Sequence, residues 1–557
     1  MFEAPWFEND ILHKLALFTK TYFVARTWFV WMFFVFVVCL IAFLCTRKAL
    51  KDNPYKNAFT YKSYIFRLGN NIDSLALFCL GLALTYVAYY MFSNENNLFE
   101  NYDLMAFNTT RTLFLGLVAS FDFTRIAPFA SWEMSFLYAI TQNFILIKVF
   151  VFLQIVLIAY LAYCFFDNIS PARRLFAIAI LMITPAMIST SSIIFPERDL
   201  LVAILLSLIC AKNYVKSSLP KWAGAFLFFL NIAIYTKESA VFFYFGILAT
   251  SLLYNIWCEK ITLKNLLKPW KLINAMPLEF LICISLALFS LIYFLLISLS
   301  SGYATQNQVS LATSISHYKA ELILLIVTII YLAVDVCKKA CPKTNPLFSY
   351  GMVVAALSVT VGIIFVAKLV PQSPHLAPHT YYMLLAVFPC LFYLFISAKD
   401  LVLLRIMAAV FVVYAMIVNS ASIENRVGRY YREVAEFIGL NMSATQINII
   451  HVEEKEYATH EIDTWVVDSY STAYFYYFRK IYNIVFKSKH HTEYALKQIP
   501  RVPEIFYFWI ETGDNYKTGD WVIVNKEMPL RKLNSIQQEI NQAPVFENKL
   551  FEVYKIK

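Results

Sequence analysis

The chain has 557 residues, of which 60% are hydrophobic and only 15% are charged, and its formal net charge at pH 7 is +10. Soluble globular proteins carry about 25% charged residues, so this composition excludes an ordinary soluble domain, and its 50 Phe, 36 Tyr and 10 Trp residues exclude a disordered chain. Only 12 glycines are present, which argues against a Gly-rich nucleotide-binding enzyme.

Apolar stretches along the first three quarters of the chain predict membrane-spanning helices, because about 20 apolar residues cross a bilayer as a helix. Twelve spans are predicted, at about 28–45, 73–92, 144–166, 175–193, 200–211, 222–236, 240–257, 280–299, 320–336, 347–366, 381–397 and 404–419. The fifth and sixth are short, which predicts tilted or partly re-entrant segments. Residues 1–419 are therefore predicted to form a polytopic α-helical membrane domain with about 12 transmembrane helices.

The Lys and Arg residues between the spans predict the orientation. One alternating set of loops holds 20 of them and the opposite set holds 6. Because cytoplasmic loops carry the excess of Lys and Arg, the richer set is predicted to be cytoplasmic, and both the N-terminus and the region after residue 419 are predicted to lie outside. The basic excess belongs to the hydrophobic part, with 30 basic and 19 acidic residues in 1–419, so it indicates topology and no nucleic-acid partner.

The first predicted outer loop, at about 93–143, is much longer than the others. It contains two stretches with helical apolar periodicity, at about 104–118 and 132–140. Such stretches favour helices that lie in the membrane interface. The loop is therefore predicted to rest on the outer surface of the membrane.

Residues 420–557 differ in pattern from the apolar part, with 17 basic and 18 acidic residues. Strands are predicted at Ile447–Val452, Thr464–Val467, Glu504–Trp509, Trp521–Asn525 and Leu550–Tyr554, and a helix at Ser471–Tyr482. All 10 cysteines precede this region, so no disulfide framework is expected there. The region is predicted to be a compact extracytoplasmic α/β domain.

Ionisable residues concentrate at the predicted outer ends of the spans, where charge near hydrocarbon is costly and typically functional. They are Asp103, Arg111, Asp122, Arg125, Glu133, Glu197, Arg198, Asp199, Lys237, Glu238, Lys368, His375 and His379. They come from separate loops on one predicted side of the membrane. Bundling of the helices would bring them around one outward-facing cavity.

These segments together resemble the GT-C-type membrane glycosyltransferases, which use lipid-phosphate-linked sugars. The segments that carry the resemblance are Asn101-Tyr102-Asp103, Arg125-Ile126-Ala127-Pro128, Phe195-Pro196-Glu197-Arg198, Tyr235-Thr236-Lys237-Glu238 and His379-Thr380-Tyr381-Tyr382. The sequence departs from the family in two ways. The span at 28–45 precedes the acidic loop, and no second acidic residue stands beside Asp103, so the choice of base stays open.

Inverting sugar transfer needs a carboxylate to take the proton of the acceptor hydroxyl. It also needs positive charge to stabilise the departing lipid phosphate. Asp103, about ten residues past a span, is the first candidate for the catalytic base, and Asp122 is its rival. Arg125 is a candidate for substrate binding, with pairing to Asp122 as the alternative.

Lys237 and Glu238 lie between two apolar runs, where they are either a snorkelling pair or a phosphate ligand with the neighbour that orients it. Glu197 and Arg198 are candidates for substrate binding, with a self-satisfied surface triplet that includes Asp199 as the alternative. His379 and Tyr382 are further candidates for substrate contact. Lys148, inside the third span, is predicted to snorkel outward. No metal site is predicted, because Pro374 and Pro378 disfavour a regular helix that would bring His375 and His379 together.

The sequence thus predicts an integral-membrane glycosyltransferase that moves a sugar from a polyprenyl-phosphate donor to a lipid-linked glycan, a lipid or a protein at the outer face. Its predicted partners are that donor, the acceptor and membrane lipids, and no cofactor is predicted. A bacterial inner membrane is the predicted location, with the C-terminal domain in the periplasm or outside. One alternative is a polymerase or ligase of lipid-linked glycans that relies on Arg125, Arg198 and His379. Another is a polytopic transporter, which would place charges near the bilayer midplane in two symmetric repeats.

Overall fold

A computed structural model describes part of the chain. The described residues are 28–55, 70–93, 129, 133, 137, 144–167, 169–184, 187–188, 197–237, 239–257, 269–293, 409–410, 412–413, 417, 433–434, 437–438, 440–441, 448–452, 485–488, 505–509, 518–526, 530–549 and 551–557. They fall into two compact units. The helices between Trp28 and Tyr293 belong almost entirely to the first unit, and the strands from Asn448 onward belong to the second.

The first unit is helical throughout its described part. Its helices are α1 (Trp28–Asp52), α2 (Asn71–Ser93), α3 (Phe144–Phe165), α4 (Pro171–Met182), α5 (Glu197–Ser217), α6 (Pro220–Thr236), α7 (Ser239–Trp257), α8 (Pro269–Ala275) and α9 (Pro277–Tyr293). Four of them begin at a proline. Proline is favoured at the first helical position because its missing N–H would be unpaired there in any case.

Four helices in the described residues are long and apolar enough to cross a membrane, namely α1, α2, α3 and α5. The apolar parts of α7 and α9 are shorter. Large apolar side chains on α1 to α3 are exposed, among them Phe33, Phe78 and Ile145. An exposed apolar surface of this kind marks contact with a membrane or a partner, so these helices are compatible with membrane insertion.

Three of the predicted spans differ from the observed helices. The span predicted at 28–45 continues as α1 to Asp52 and includes Arg47, Lys48 and Lys51. Helix α4 begins before the span predicted at 175–193 and ends at Met182, and it includes Arg173 and Arg174, which the sequence predicts to be loop residues. Helix α5 is not the short segment predicted at 200–211, because it extends through Glu197 at one end and Lys216 at the other. Charged residues make an apolar run in the sequence look shorter than the helix that contains it. In α4 and α5 the charged residues are helical because partners from other helices offset the cost of burying them.

The prediction for Lys148 is also wrong. The sequence predicts that this α3 residue snorkels outward, but the structure buries it, with 8% of the residue exposed. The last four predicted spans lie outside the described residues, except for a few helical positions between 409 and 417. The long outer loop is described only at residues 129, 133 and 137.

The second unit contains a six-stranded sheet in the order β2-β3-β1-β4-β6-β5. Its strands are β1 (Asn448–Val452), β2 (Val485–Ser488), β3 (Ile505–Trp509), β4 (Trp521–Asn525), β5 (Phe546–Glu547) and β6 (Phe551–Lys555), with helix α10 (Leu530–Ile540) between β4 and β5. The first four strands are parallel, and β6 pairs antiparallel with β4 and β5.

The core of this sheet follows from its apolar runs. Trp521, Val522, Ile523 and Val524 of β4 are all buried, as is typical of a strand covered on both faces. Helix α10 packs Leu533 and Ile540 against Val522, Val524 and Tyr554.

Four of the predicted strands correspond to β1, β3, β4 and β6. The predicted strand at 464–467 and the predicted helix at 471–482 lie outside the described residues. Strands β2 and β5 and helix α10 were not predicted. The apolar positions of α10 are spaced three, four and seven residues apart, which is a helical signal. The sequence prediction missed this helix because most of its residues are polar.

Candidate functional site

An ion pair joins the first turn of α5 to the end of α6. Lys237, the residue that follows α6, donates from Nζ to Glu197 Oε1. Both residues are buried, with 6% of Lys237 and 3% of Glu197 exposed. The extended backbone of Lys237 (φ −158°) ends α6 and turns the chain toward α7. The snorkelling alternative for Lys237 is therefore wrong, because a snorkelling lysine keeps its amine in water.

The next two residues of α5 are held by one side chain from α3. Arg198 donates from Nε to Gln154 Oε1 at 3.0 Å, and Gln154 donates from Nε2 to Asp199 Oδ1 at 3.0 Å. Arg198 is completely buried. The surface-triplet alternative for residues 197–199 is therefore wrong, because these charges point into the helix bundle.

Two residues of the long outer loop, Phe129 and Glu133, lie near the ends of α5 and α6. The backbone N–H of Phe129 donates to the carbonyl of Tyr235, in the last turn of α6, at 3.3 Å. Four residues later, the carboxyl group of Glu133 lies within hydrogen-bonding reach of the Asp199 carboxyl. Phe129 and Glu133 therefore lie at the end of α6 and the start of α5, respectively.

Three carboxylate oxygens in this cluster receive no hydrogen bond within the described part of the chain. They are Glu133 Oε1, Glu197 Oε2 and Asp199 Oδ2, and all three atoms are buried. A buried polar atom without a partner costs about 1–3 kcal/mol. Such a group in a folded protein has a cause, for example a catalytic role or a bound water or ion.

The cluster lies well inside the helical unit. Gln154 is the eleventh residue of α3, so it stands about 15 Å along the helix axis from the first residue. Charges at such a depth are costly and are usually functional. No three His, Cys, Asp or Glu residues among those described are arranged to hold a metal ion.

The structure brings together three of the residues predicted for the site, namely Glu197, Arg198 and Lys237. The other predicted site residues lie outside the described residues, and they are Asp103, Asp122, Arg125, Glu238, His379 and Tyr382. Gln154 was missed by sequence reasoning. Its signal is a lone glutamine within the apolar run of α3, since a buried amide needs polar partners.

A second polar group lies at the opposite ends of the same helices. Lys212, near the end of α5, donates to Asp167 and to the carbonyl of Phe165 at the end of α3, and Lys216 also pairs with Asp167. Asn53, which follows α1, donates to Ser218 Oγ at 2.7 Å. The described contacts thus sort the charged residues of α5 into its two ends, and Glu197 and Arg198 share one end with Lys237, at the level of the middle of α3.

A scan of the chain against protein-family models finds no matching model, and a search of curated proteins finds no matching sequence. The resemblance to GT-C-type glycosyltransferases therefore stays a prediction, carried by the residues and their positions.

Proposed function

We propose that this protein is an integral-membrane glycosyltransferase that uses a polyprenyl-phosphate-linked sugar as donor. The acceptor is a lipid-linked glycan, a lipid or a protein, and transfer takes place at the outer face of the membrane. The observation that carries the proposal is the buried cluster of Glu133, Gln154, Glu197–Asp199 and Lys237. It combines cations with incompletely satisfied carboxyl groups inside a helical membrane unit.

Both cations of the cluster suit a phosphate group. When the bond between the sugar and the donor phosphate breaks, the phosphate gains negative charge. Positive groups fixed in a buried site stabilise that charge better than water does. In this proposal Lys237 and Arg198 hold the donor phosphate, while Glu197 and Gln154 hold the two cations in place.

The remaining roles follow the sequence prediction. Asp103, with Asp122 as its rival, takes the proton of the acceptor hydroxyl. Arg125, Glu238, His379 and Tyr382 contact the substrates. The chain has no Gly-rich phosphate loop ahead of a helix, which favours a donor carried by a lipid over a cytosolic nucleotide sugar.

The proposal includes a topology. In the proposed topology, twelve spans cross a bacterial inner membrane, the cluster faces the outer side and the α/β domain of residues 420–557 lies outside. The 20-to-6 distribution of basic residues between the two sets of loops supports this orientation.

The test is reconstitution of the full chain in nanodiscs with radiolabelled polyprenyl-phosphate sugars and lipid-linked acceptors. We expect one sugar to be added for each donor consumed, and surface glycans analysed by mass spectrometry to lose that sugar when the gene is deleted. Transfer of a whole glycan chain would favour the ligase alternative. Absence of transfer from every polyprenyl-phosphate donor, together with unchanged surface glycans, would overturn the proposal.

A further inference from the structure

The carboxyl groups of Glu133 and Asp199 form a pair that the roles given above do not use. They lie within hydrogen-bonding reach of each other. Glu133 Oε1 and Asp199 Oδ2 are both buried, and neither receives a hydrogen bond from an N–H or O–H group in the described part of the chain. Two ionised carboxylates at such a separation repel, whereas one proton held between them satisfies both oxygens.

The neighbouring polar groups that the structure describes have other partners, so they do not take the place of that proton. The guanidinium of Arg198 is a positive charge close to Asp199, and its Nε donates to Gln154. Gln154 in turn donates from Nε2 to Asp199 Oδ1, and Asp199 Oδ2 receives no hydrogen bond from the described residues. Lys237 is engaged with Glu197, and Lys148 lies almost two turns before Gln154 on α3.

The charge of the cluster explains why the proton matters for a phosphate ligand. With Glu133, Glu197 and Asp199 all ionised, the described cluster carries one negative charge more than Arg198 and Lys237 supply. A phosphodiester donor adds another negative charge, so it would be repelled. One shared proton makes the described cluster neutral and compatible with the donor.

We propose that Glu133 and Asp199 share one proton and act as the acid of the site, passing that proton to the donor phosphate as the sugar leaves. This inference rests on the proposed function. The acceptor oxygen forms a bond to the anomeric carbon, and its proton goes to Asp103 or Asp122. The bond from the anomeric carbon to the phosphate oxygen breaks, and its electron pair stays on the phosphate.

The phosphate accepts the proton because it becomes a monoester dianion, whose second pKa is about 6. The lipid phosphate then departs as a monoanion, and the pair is left ionised. Exchange with water returns a proton to the pair and removes one from the base. Every atom and charge of the cycle is accounted for without a further reactant.

The test compares the wild type with Asp199→Asn and Glu133→Gln, using a polyprenyl-phosphate sugar in nanodiscs. In the wild type, the donor KM should rise with pH above the pH at which the pair ionises, by up to about tenfold per pH unit. In each variant the remaining carboxylate keeps one negative charge, which equals the charge of the protonated pair. The donor KM of each variant should therefore not change with pH over this range. The kcat of each variant should fall by about 10²-fold, because the proton donor is lost.

A second measurement does not depend on activity. Infrared difference spectra between the wild type and each variant should show a carboxylic acid C=O band that only the wild type has. Glu539→Gln, at an exposed position of α10, is the matched control and should leave both the band and the KM profile unchanged. If Asp199→Asn does not insert into the membrane, Glu133→Gln provides the same test, because Glu133 belongs to the outer loop.

The outcomes separate the two proposals. A KM profile in the variants that matches the wild type, or the absence of the band, would overturn the proton-sharing pair and leave the transferase function standing. Absence of transfer by the wild type would overturn the function and the acid role together. A flat KM profile in the variants together with loss of the band would support the pair.

Discussion

The Lys237–Glu197 ion pair shows why a single substitution is a poor test of a buried charge. Removing one partner leaves the other ionised and unpaired, which costs about 3–5 kcal/mol. Glu197 already has one oxygen without a hydrogen bond. Lys237→Ala alone would therefore mix loss of stability with loss of phosphate binding.

The double variant Lys237→Met with Glu197→Gln separates these two effects. It removes both charges while nearly keeping their volume, so we expect thermal stability near that of the wild type. The donor KM should rise about 10- to 150-fold, because a charge-assisted bond to phosphate is worth about 1.5–3 kcal/mol. Lys216→Met, at the opposite end of α5, is the control and should leave the KM unchanged. An unchanged donor KM in the double variant would show that Lys237 has only a structural role.

Asp103 is the residue on which the proposed base chemistry depends. Asp103→Asn keeps the size of the side chain but removes its basicity, so transfer should fall about 10²- to 10⁴-fold. The initial rate of sugar transfer at saturating donor measures this. Asp122→Asn is the comparison and should be milder. A dead Asp122 variant beside an active Asp103 variant would move the base to Asp122, and two active variants would contradict the inverting mechanism.

Between elements, Tyr55 ties the turn after α1 to the start of α9. Its hydroxyl donates to Glu279 Oε2 at 2.5 Å and accepts from the backbone N–H of Leu278 at 3.3 Å. The other oxygen of Glu279 accepts from Ser251 in α7 at 2.6 Å. This completely buried carboxyl group therefore holds three parts of the helical unit together.

Tyr55→Phe should lower the stability of the helical unit by about 1–3 kcal/mol, because Glu279 Oε2 loses its donor. The shift of the thermal unfolding midpoint in detergent measures this. Phe78→Leu, at an exposed position of α2, should leave the midpoint unchanged. Equal midpoints for Tyr55→Phe and the wild type would show that the Glu279 bond contributes nothing.

The same tyrosine predicts a pH dependence of stability. Burial, and then the neighbouring Glu279 carboxyl, raise the pKa of Tyr55 well above its usual value. An unfolded tyrosine ionises near pH 10, so the unfolded chain holds fewer protons than the folded chain above that pH. The stabilisation is therefore present below about pH 10 and is lost as the pH rises further. Unfolding midpoints from pH 9 to 11 should fall more steeply for the wild type than for Tyr55→Phe.

At the scale of the whole molecule, the proposed function requires the two ends of α5 to lie toward opposite sides of the membrane. The Lys212–Asp167 group marks one end of α5, and the Lys237–Glu197 group marks the other. The distribution of basic residues predicts that the first of these ends is cytoplasmic. Leu219, between α5 and α6, and Leu530, in α10, are both exposed and suit a labelling test.

In a cysteine-free background, Leu530→Cys should react with a membrane-impermeant maleimide in intact cells. Leu219→Cys should react only after the membrane is permeabilised. Labelling measured by mass shift on a gel distinguishes the two sides. The reverse pattern would place the charged cluster at the cytoplasmic face and remove the support for a lipid-linked donor at the outer face.

The sequence by itself determined the apolar helices up to Tyr293 and several strands after Asn448, because hydrophobic period and length are local properties of the chain. It also indicated Glu197, Arg198 and Lys237 as members of one group, because the alternation of loops places them on one side. It misplaced the bounds of α4 and α5, since it counted buried charges such as Arg174 and Lys212 as breaks in the apolar runs.

The tertiary structure alone decided which of these charges are partners. Gln154 meets Arg198 and Asp199 from 44 and 45 residues away, and no spacing rule links them. Glu133 lies beside Asp199 although 65 residues separate them in the sequence. The free energy of a buried charge depends on the groups within a few ångströms of it, and those groups come from helices that are distant in the sequence.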